Sequence, residues 1–140
     1  MATVIATCAT LRLFGDDLEP GEITRLLGCQ PSAGERRGEA KGPRRDNMAR
    51  TGGWRLSSER EDGDQLSRQI RDILSRTSGD AALWDSLRGR YRIDMFCGVW
   101  LDEAGQGLAI NPMVLSELGM RGIPLELDIY YPDVDQPVTK

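Results

Sequence analysis

Two aspartates on neighbouring predicted strands are the strongest candidates for catalytic chemistry in this sequence. The chain has no histidine, which excludes Ser-His-Asp and Cys-His catalysis and histidine-bound metals. Acid–base chemistry would therefore fall to carboxylates, and Asp94 and Asp128 occupy outward positions of two strands. Arg12 and Arg92 share that face, so cross-strand ion pairs are the simpler interpretation. A small enzyme that uses both aspartates on an anionic substrate is the alternative.

The segment 30–53 is a second candidate site, because it concentrates arginine without hydrophobic periodicity. It contains five glycines, two prolines, six basic residues and three acidic residues. Arginine offers forked donors to phosphate or carboxylate, and a neighbouring indole could stack on a ligand. The anion-binding candidates are Arg37, Arg44, Arg45 and Trp54. The competing interpretation is a solvated, irregular loop whose arginines pair with the chain's own acids.

Aromatic side chains on the outward face of the predicted sheet form a third candidate site. Surfaces rich in aromatic residues and arginine are typical of the centres of protein interfaces. The interface candidates are Arg12, Phe14, Phe96, Trp100 and Tyr130. Because large exposed apolar patches are avoided, we expect this face to be covered. A second copy of the chain, another protein partner, or a loop of the same chain could cover it.

Composition excludes several further classes of function. The 140 residues carry a net charge of −4, which makes nucleic-acid binding improbable. The three cysteines have no Cys-x-x-Cys spacing, so neither a zinc site nor a disulfide framework is expected, and no motif for a cofactor is present. The free thiols are typical of a reducing compartment, and the sequence shows neither an export signal nor an apolar segment of membrane-spanning length. We therefore predict a cytoplasmic protein that has no membrane partner.

The elements that must position these residues alternate between strands and short helices. Apolar periodicity and local start and stop signals predict five strands and four helices. The strands are predicted at 3–14, 54–58, 90–101, 108–110 and 123–131, and the helices at 20–27, 64–76, about 80–89, and from 112 to Gly119 or Gly122. Ile5 in the first strand, and Leu127 and Ile129 in the last, are predicted to face the core.

This order predicts an α+β fold: a two-layer sandwich with a mostly antiparallel sheet and short helices on one face. Residues 23–28 and 114–119 are similar in pattern, which suggests a duplicated β-α-β unit in a ferredoxin-like variant. A single domain is predicted for residues 1–140, with a core at 3–131, an irregular basic loop at 30–53 and a loose tail at 132–140.

Five segments together resemble a known bacterial family, the family named domain of unknown function 4279. The segments are LRLFGDDLEPGEITRLLG at 11–28, GPRR at 42–45, TGGWRLSSE at 51–59, YRIDMFC at 91–97 and LELDIY at 125–130. The resemblance covers residues 4–131 and implies a small bacterial cytoplasmic domain, with no activity to carry over.

The candidate residues therefore favour binding of a partner or a ligand over catalysis. We predict a non-enzymatic module for protein interaction or ligand binding, with a homodimer as one form. An immunity-type role, in which the domain masks a toxin or another partner surface, is compatible with an acidic domain that exposes an aromatic sheet.

Overall fold

One mixed sheet forms the centre of the molecule, in a computed structural model that describes residues 4–40, 47–103 and 107–132. Its strands are β1 (Val4–Gly15), β2 (Ala33–Glu35), β3 (Gly52–Ser57), β4 (Glu61–Asp62), β5 (Arg92–Leu101) and β6 (Leu125–Tyr130). The strand order is β2-β3-β1-β5-β6, and β4 pairs with β1 outside this path. Only the pairing of β5 with β6 is parallel; the other strand pairs are antiparallel.

Within the described residues, four short helices connect these strands. They are α1 (Pro20–Leu27), α2 (Leu66–Ser75), α3 (Ala81–Arg90) and α4 (Pro112–Arg121). Pro20 starts α1, and Gly28 ends it in a left-handed conformation (φ 75°) that glycine adopts without strain. The side chains of Asp80 and Asn111 accept hydrogen bonds from the backbone at the starts of α3 and α4.

The helices pack on one face of the sheet, where the core lies. Leu11 and Leu13 of β1 and Met95 of β5 are fully buried, in one cluster with apolar residues from β3 and all four helices. Each such side chain contributes about 1.5–3 kcal/mol through burial. The predicted two-layer α+β sandwich with a mostly antiparallel sheet is therefore confirmed.

The prediction that Ile5 faces the core is wrong, because β1 is irregular at its start. The register with β5 shifts by one residue between Val4 and Ala6. A shift of one residue moves a side chain to the opposite face of a sheet. Val4 consequently packs in the core, and Ile5 is 43 % exposed.

One prediction near the end of the chain is also wrong, and a second holds for direction but not for burial. Residues 108–110 form no strand; Leu108 and Ile110 pack against the core from an irregular segment. Leu127 and Ile129 face the helix side as expected, because they pair with the core residues Cys97 and Val99, but they are 40 % and 46 % exposed since β6 lies at the edge of the sheet beyond β5.

The described parts of the segment 30–53, residues 30–40 and 47–53, are more regular than the sequence pattern indicates. They contain β2 and the first residues of β3, which pair with each other, and a bridge joins Ala40 to Met48. Residues 41–46 lie outside the described ranges, as do residues 133–140 of the predicted tail. The ferredoxin-like duplication stays a prediction. The strands on either side of the two similar helices pair differently: β1 and β3 are antiparallel, whereas β5 and β6 are parallel.

Candidate functional site

The face of the sheet opposite the helices, called the outer face below, brings together all five interface candidates. Arg12 and Phe14 project from β1, Phe96 and Trp100 from β5, and Tyr130 from β6. The register explains this arrangement, because paired residues on neighbouring strands point to the same face. Thr10 of β1 pairs with Phe96 of β5, and Phe96 pairs in turn with Glu126 of β6. Side chains two residues apart on a strand share a face.

Arg12 lies at the centre of this face and is held from several sides. Its Nε and Nη2 donate to the two carboxylate oxygens of Asp94 at 2.7 and 2.8 Å, and Nη2 lies 3.4 Å from Glu126. The guanidinium carbon lies 4.2 Å from the ring centre of Phe96 and 5.3 Å from that of Phe14. Hydrogen bonding to Asp94 raises the pKa of Arg12, and partial burial opposes that rise. The cross-strand ion pair expected for Asp94 is confirmed.

A stack of flat groups occupies the other end of the outer face. The rings of Trp100 and Tyr130 lie 5.3 Å apart at 16°, and the Arg60 guanidinium lies 4.1 Å from the Trp100 ring centre. Gly98 permits this stack, because a Cβ there would lie 2.7 Å from the Trp100 ring. The Tyr130 hydroxyl donates to Asp128, and this bond raises the pKa of Tyr130.

Asp94 and Asp128 do not converge, so the close carboxylate pair that the enzyme alternative relies on is not formed. Asp128 pairs with Gly98, four residues along β5 from Asp94. At about 3.3 Å per residue, this spacing separates the two positions by about 13 Å. Asp94 is 2 % exposed and bound to Arg12, whereas Asp128 accepts a hydrogen bond from Tyr130 rather than from an arginine.

The predicted anion site is not assembled from the candidates that the structure describes. Arg37 lies on the surface, 3.5 Å from Asp16. Trp54 is 0 % exposed and donates its indole N–H to Thr24, so the predicted ligand-stacking role of its ring is wrong. Trp54 packs in the core because its position on β3 faces the helices, as its alternation with Leu56 indicates. Arg44 and Arg45 lie outside the described residues.

Sequence reasoning missed two parts of the outer face. Arg60 lies between β3 and β4, where no alternation of apolar residues indicates the face to which its side chain points. Arg55 and Glu35 form a two-bond ion pair at 2.9 and 2.7 Å across β3 and β2. The three-residue strand that carries Glu35 has no apolar pattern. Within the described ranges, no three Cys, Asp or Glu side chains converge as a metal ion requires, and no helix is long and apolar enough to cross a membrane.

Fold and site together define a two-layer α+β domain whose open sheet face carries stacked arginine and aromatic side chains. Residues 5–132 match the family model described as domain of unknown function (DUF4279), and the chain belongs to this family. No curated protein and no solved structure matches the chain significantly.

Proposed function

We propose that this chain is a protein-recognition module whose outer face binds a second copy of the chain. The observation that carries the proposal is the composition of that face. Phe14, Phe96, Trp100 and Tyr130 share it with stacked arginines, while the four helices pack on the opposite side. Aromatic residues and arginine are the types enriched at the energetic centres of interfaces.

Charge balance favours a second copy as the occupant. The chain carries net −4, so most pairs of its surfaces repel one another. Among the residues that form the contacts described on the outer face, arginines and carboxylates are equal in number, with four of each. They are Arg12, Arg55, Arg60 and Arg92, and Glu35, Asp94, Glu126 and Asp128. Two copies can therefore meet on this face without net repulsion.

The arrangement of the charges is also self-complementary. Arg92 lies 5.6 Å from the ring centre of Phe14 and forms no ion pair with the described residues. Asp128 lies at the opposite end of the face, beside Tyr130. A two-fold axis through Phe96 would place Arg92 of each copy near the partner's Asp128. An interface between identical copies uses the same patch twice in this manner.

Light scattering over a concentration series tests the proposal. We expect a dimer for the natural chain and a monomer for Phe96→Asp, because the substitution buries a charge at the centre of the interface. Met120→Asp is the matched control: it adds the same charge on α4, where Met120 is 62 % exposed, and should stay dimeric. Circular dichroism checks that both variants fold.

A charge exchange makes the test specific. Arg92→Asp and Asp128→Arg should each weaken the dimer, and the double variant should restore it. A natural chain that is monomeric at high concentration, or a double variant that restores nothing, would contradict the proposed arrangement.

A further inference from the structure

We propose that the free edge of β6 binds an extended segment of a partner protein, in which apolar and basic side chains alternate. Among the described residues, no strand lies beyond β6 in the sheet. β6 has six residues, whereas β2 at the other end of the strand order has three. Unpaired backbone groups along an edge strand can bond to a strand from another chain. This inference concerns the edge of the sheet and goes beyond the dimer proposed for the outer face.

The backbone of β6 shows which residues would bond to such a strand. The N–H of Met95 donates to the carbonyl oxygen of Pro124 at 2.9 Å, and Met95 pairs with Leu125 in the parallel register. In a parallel pair, alternate residues direct both of their backbone groups to the neighbouring strand, so those of Glu126 and Asp128 bond to β5. The backbone groups that point away from β5 belong to Leu125, Leu127 and Ile129.

The side chains of β6 differ between the two faces of this edge. Leu127 and Ile129 lie on the helix side and are 40 % and 46 % exposed. Glu126 and Asp128 lie on the outer face, and the side chain of Glu126 is 53 % exposed. Opposite residues of paired strands point to the same face. An added strand would therefore bury the two apolar residues with apolar side chains of its own, and it would meet the two carboxylates with basic ones.

Like charges disfavour a second copy of β6 as the occupant. A two-fold axis at Leu127 would place Glu126 of each copy directly opposite Asp128 of the other, and registers shifted by two residues also pair carboxylates. Like charges directly opposite on paired strands are destabilising. The segment 133–140 lacks the complementary charge, because it carries two aspartates and one lysine. The acidic side of the edge therefore favours a basic strand from another protein.

Fluorescence anisotropy with a labelled synthetic peptide of sequence KVKVKVK tests the proposal, and EVEVEVE is the control peptide. We expect saturable binding of KVKVKVK, and binding of EVEVEVE at least about tenfold weaker because its charges repel those of β6. Glu126→Gln should weaken the binding of KVKVKVK about two- to fivefold, as the loss of one exposed ion pair does. Asp85→Asn is the matched control: it removes one charge from α3, where the side chain is 66 % exposed, and should bind like the natural chain.

Two N-methylated peptides distinguish strand addition from charge attraction alone. One carries methyl groups on the backbone nitrogens of its valines, and the other carries them on those of its lysines. Only one of these two sets of N–H groups faces β6 in an added strand, so one peptide should keep its affinity and the other should lose at least about tenfold. Equal affinities of the two peptides, or the absence of saturable binding of KVKVKVK, would overturn the proposal. Binding that appears only after deletion of residues 133–140 would assign the edge to the chain's own end and would also overturn it.

Discussion

The two faces of β1 and β5 are built from the same strands and are stabilised by different physics. Leu11 and Leu13 point to the helices and are 0 % exposed. Arg12, which lies between them, points to the outer face and is held by Asp94 and by aromatic rings. The inner face is stabilised by removal of apolar surface from water, which needs no particular partner. The outer face depends on geometry, because forked hydrogen bonds and stacked rings form only at certain positions.

This difference indicates which face is adapted to recognition. A strand that needed only to fold could carry scattered polar residues on its solvent side. The outer face instead orders its arginines over rings and against carboxylates, so they are already in place when a partner arrives. Preorganised side chains lose less conformational entropy on binding. Substitutions on the two faces should therefore differ in size and in kind.

The largest effect should come from the inner face. Leu11→Ala leaves a cavity in the core between the sheet and the helices and should lower the free energy of unfolding by about 3–5 kcal/mol. Urea unfolding followed by circular dichroism measures it. Leu115→Ala, at a position that is 49 % exposed, should cost less than about 0.5 kcal/mol. Equal losses for the two variants would mean that Leu11 is not a core residue.

Breaking the central ion pair should have the next largest effect. Asp94→Ala leaves Arg12 with only its longer contact to Glu126 and should cost about 2–3 kcal/mol, less than the loss of a fully buried pair because the Arg12 side chain is 21 % exposed. A double-mutant cycle with Arg12→Ala isolates the pair. A coupling energy below about 0.5 kcal/mol would show that the two side chains act independently.

Gly98→Ala should disturb the outer face with a smaller loss, about 1–2 kcal/mol. The added methyl group would meet the Trp100 ring and displace it from Tyr130. The near-ultraviolet circular dichroism of the stacked pair should fall. Gly89→Ala is the contrasting variant: a Cβ at Gly89 meets no atom within 4 Å, so this change in α3 should stabilise the chain by about 0.4–1 kcal/mol. An unchanged spectrum for Gly98→Ala would contradict the described stack.

The smallest expected effect is a loss of stability at alkaline pH, caused by the buried Cys97 on the inner face. Burial raises the pKa of the Cys97 thiol from 9.0 to about 12. Above pH 9 the unfolded chain loses this proton and the folded chain keeps it, so the contribution to stability is complete below pH 9 and is lost as the pH rises toward 12. Between pH 8 and pH 9.5 the loss should be about 0.8 kcal/mol. Cys97→Ala should decline less steeply over that interval, and an identical decline would show that other groups cause it.

Local signals explain why much of the fold is predictable. The bounds of α1 follow from Pro20 and Gly28, and the start of α4 follows from Asn111 and Pro112, each acting within one turn. The inner face of β5 follows from strict alternation of apolar residues. The Arg12–Asp94 pair follows once β1 and β5 are taken as neighbours, because outward polar residues on adjacent strands meet.

The errors arise where the outcome depends on distant parts of the chain. Ile5 fits the alternation of β1, and only the pairing with β5 places an irregularity there. Leu127 has the pattern of a core strand, but its burial depends on whether another strand or helix covers β6. Arg60 acquires its role from its contact with Trp100, which no sequence spacing encodes.

The position of Trp100 gives the protein an intrinsic optical probe of one surface. The chain has three tryptophans; Trp54 and Trp84 are 0 % exposed, whereas Trp100 is half-buried on the outer face. Acrylamide quenching of fluorescence should therefore report almost entirely on Trp100. A partner that covers the outer face should shield this emission from the quencher, whereas a molecule that binds on the helix side of the sheet should leave it unchanged. Occupancy of the outer face can then be followed in unlabelled protein.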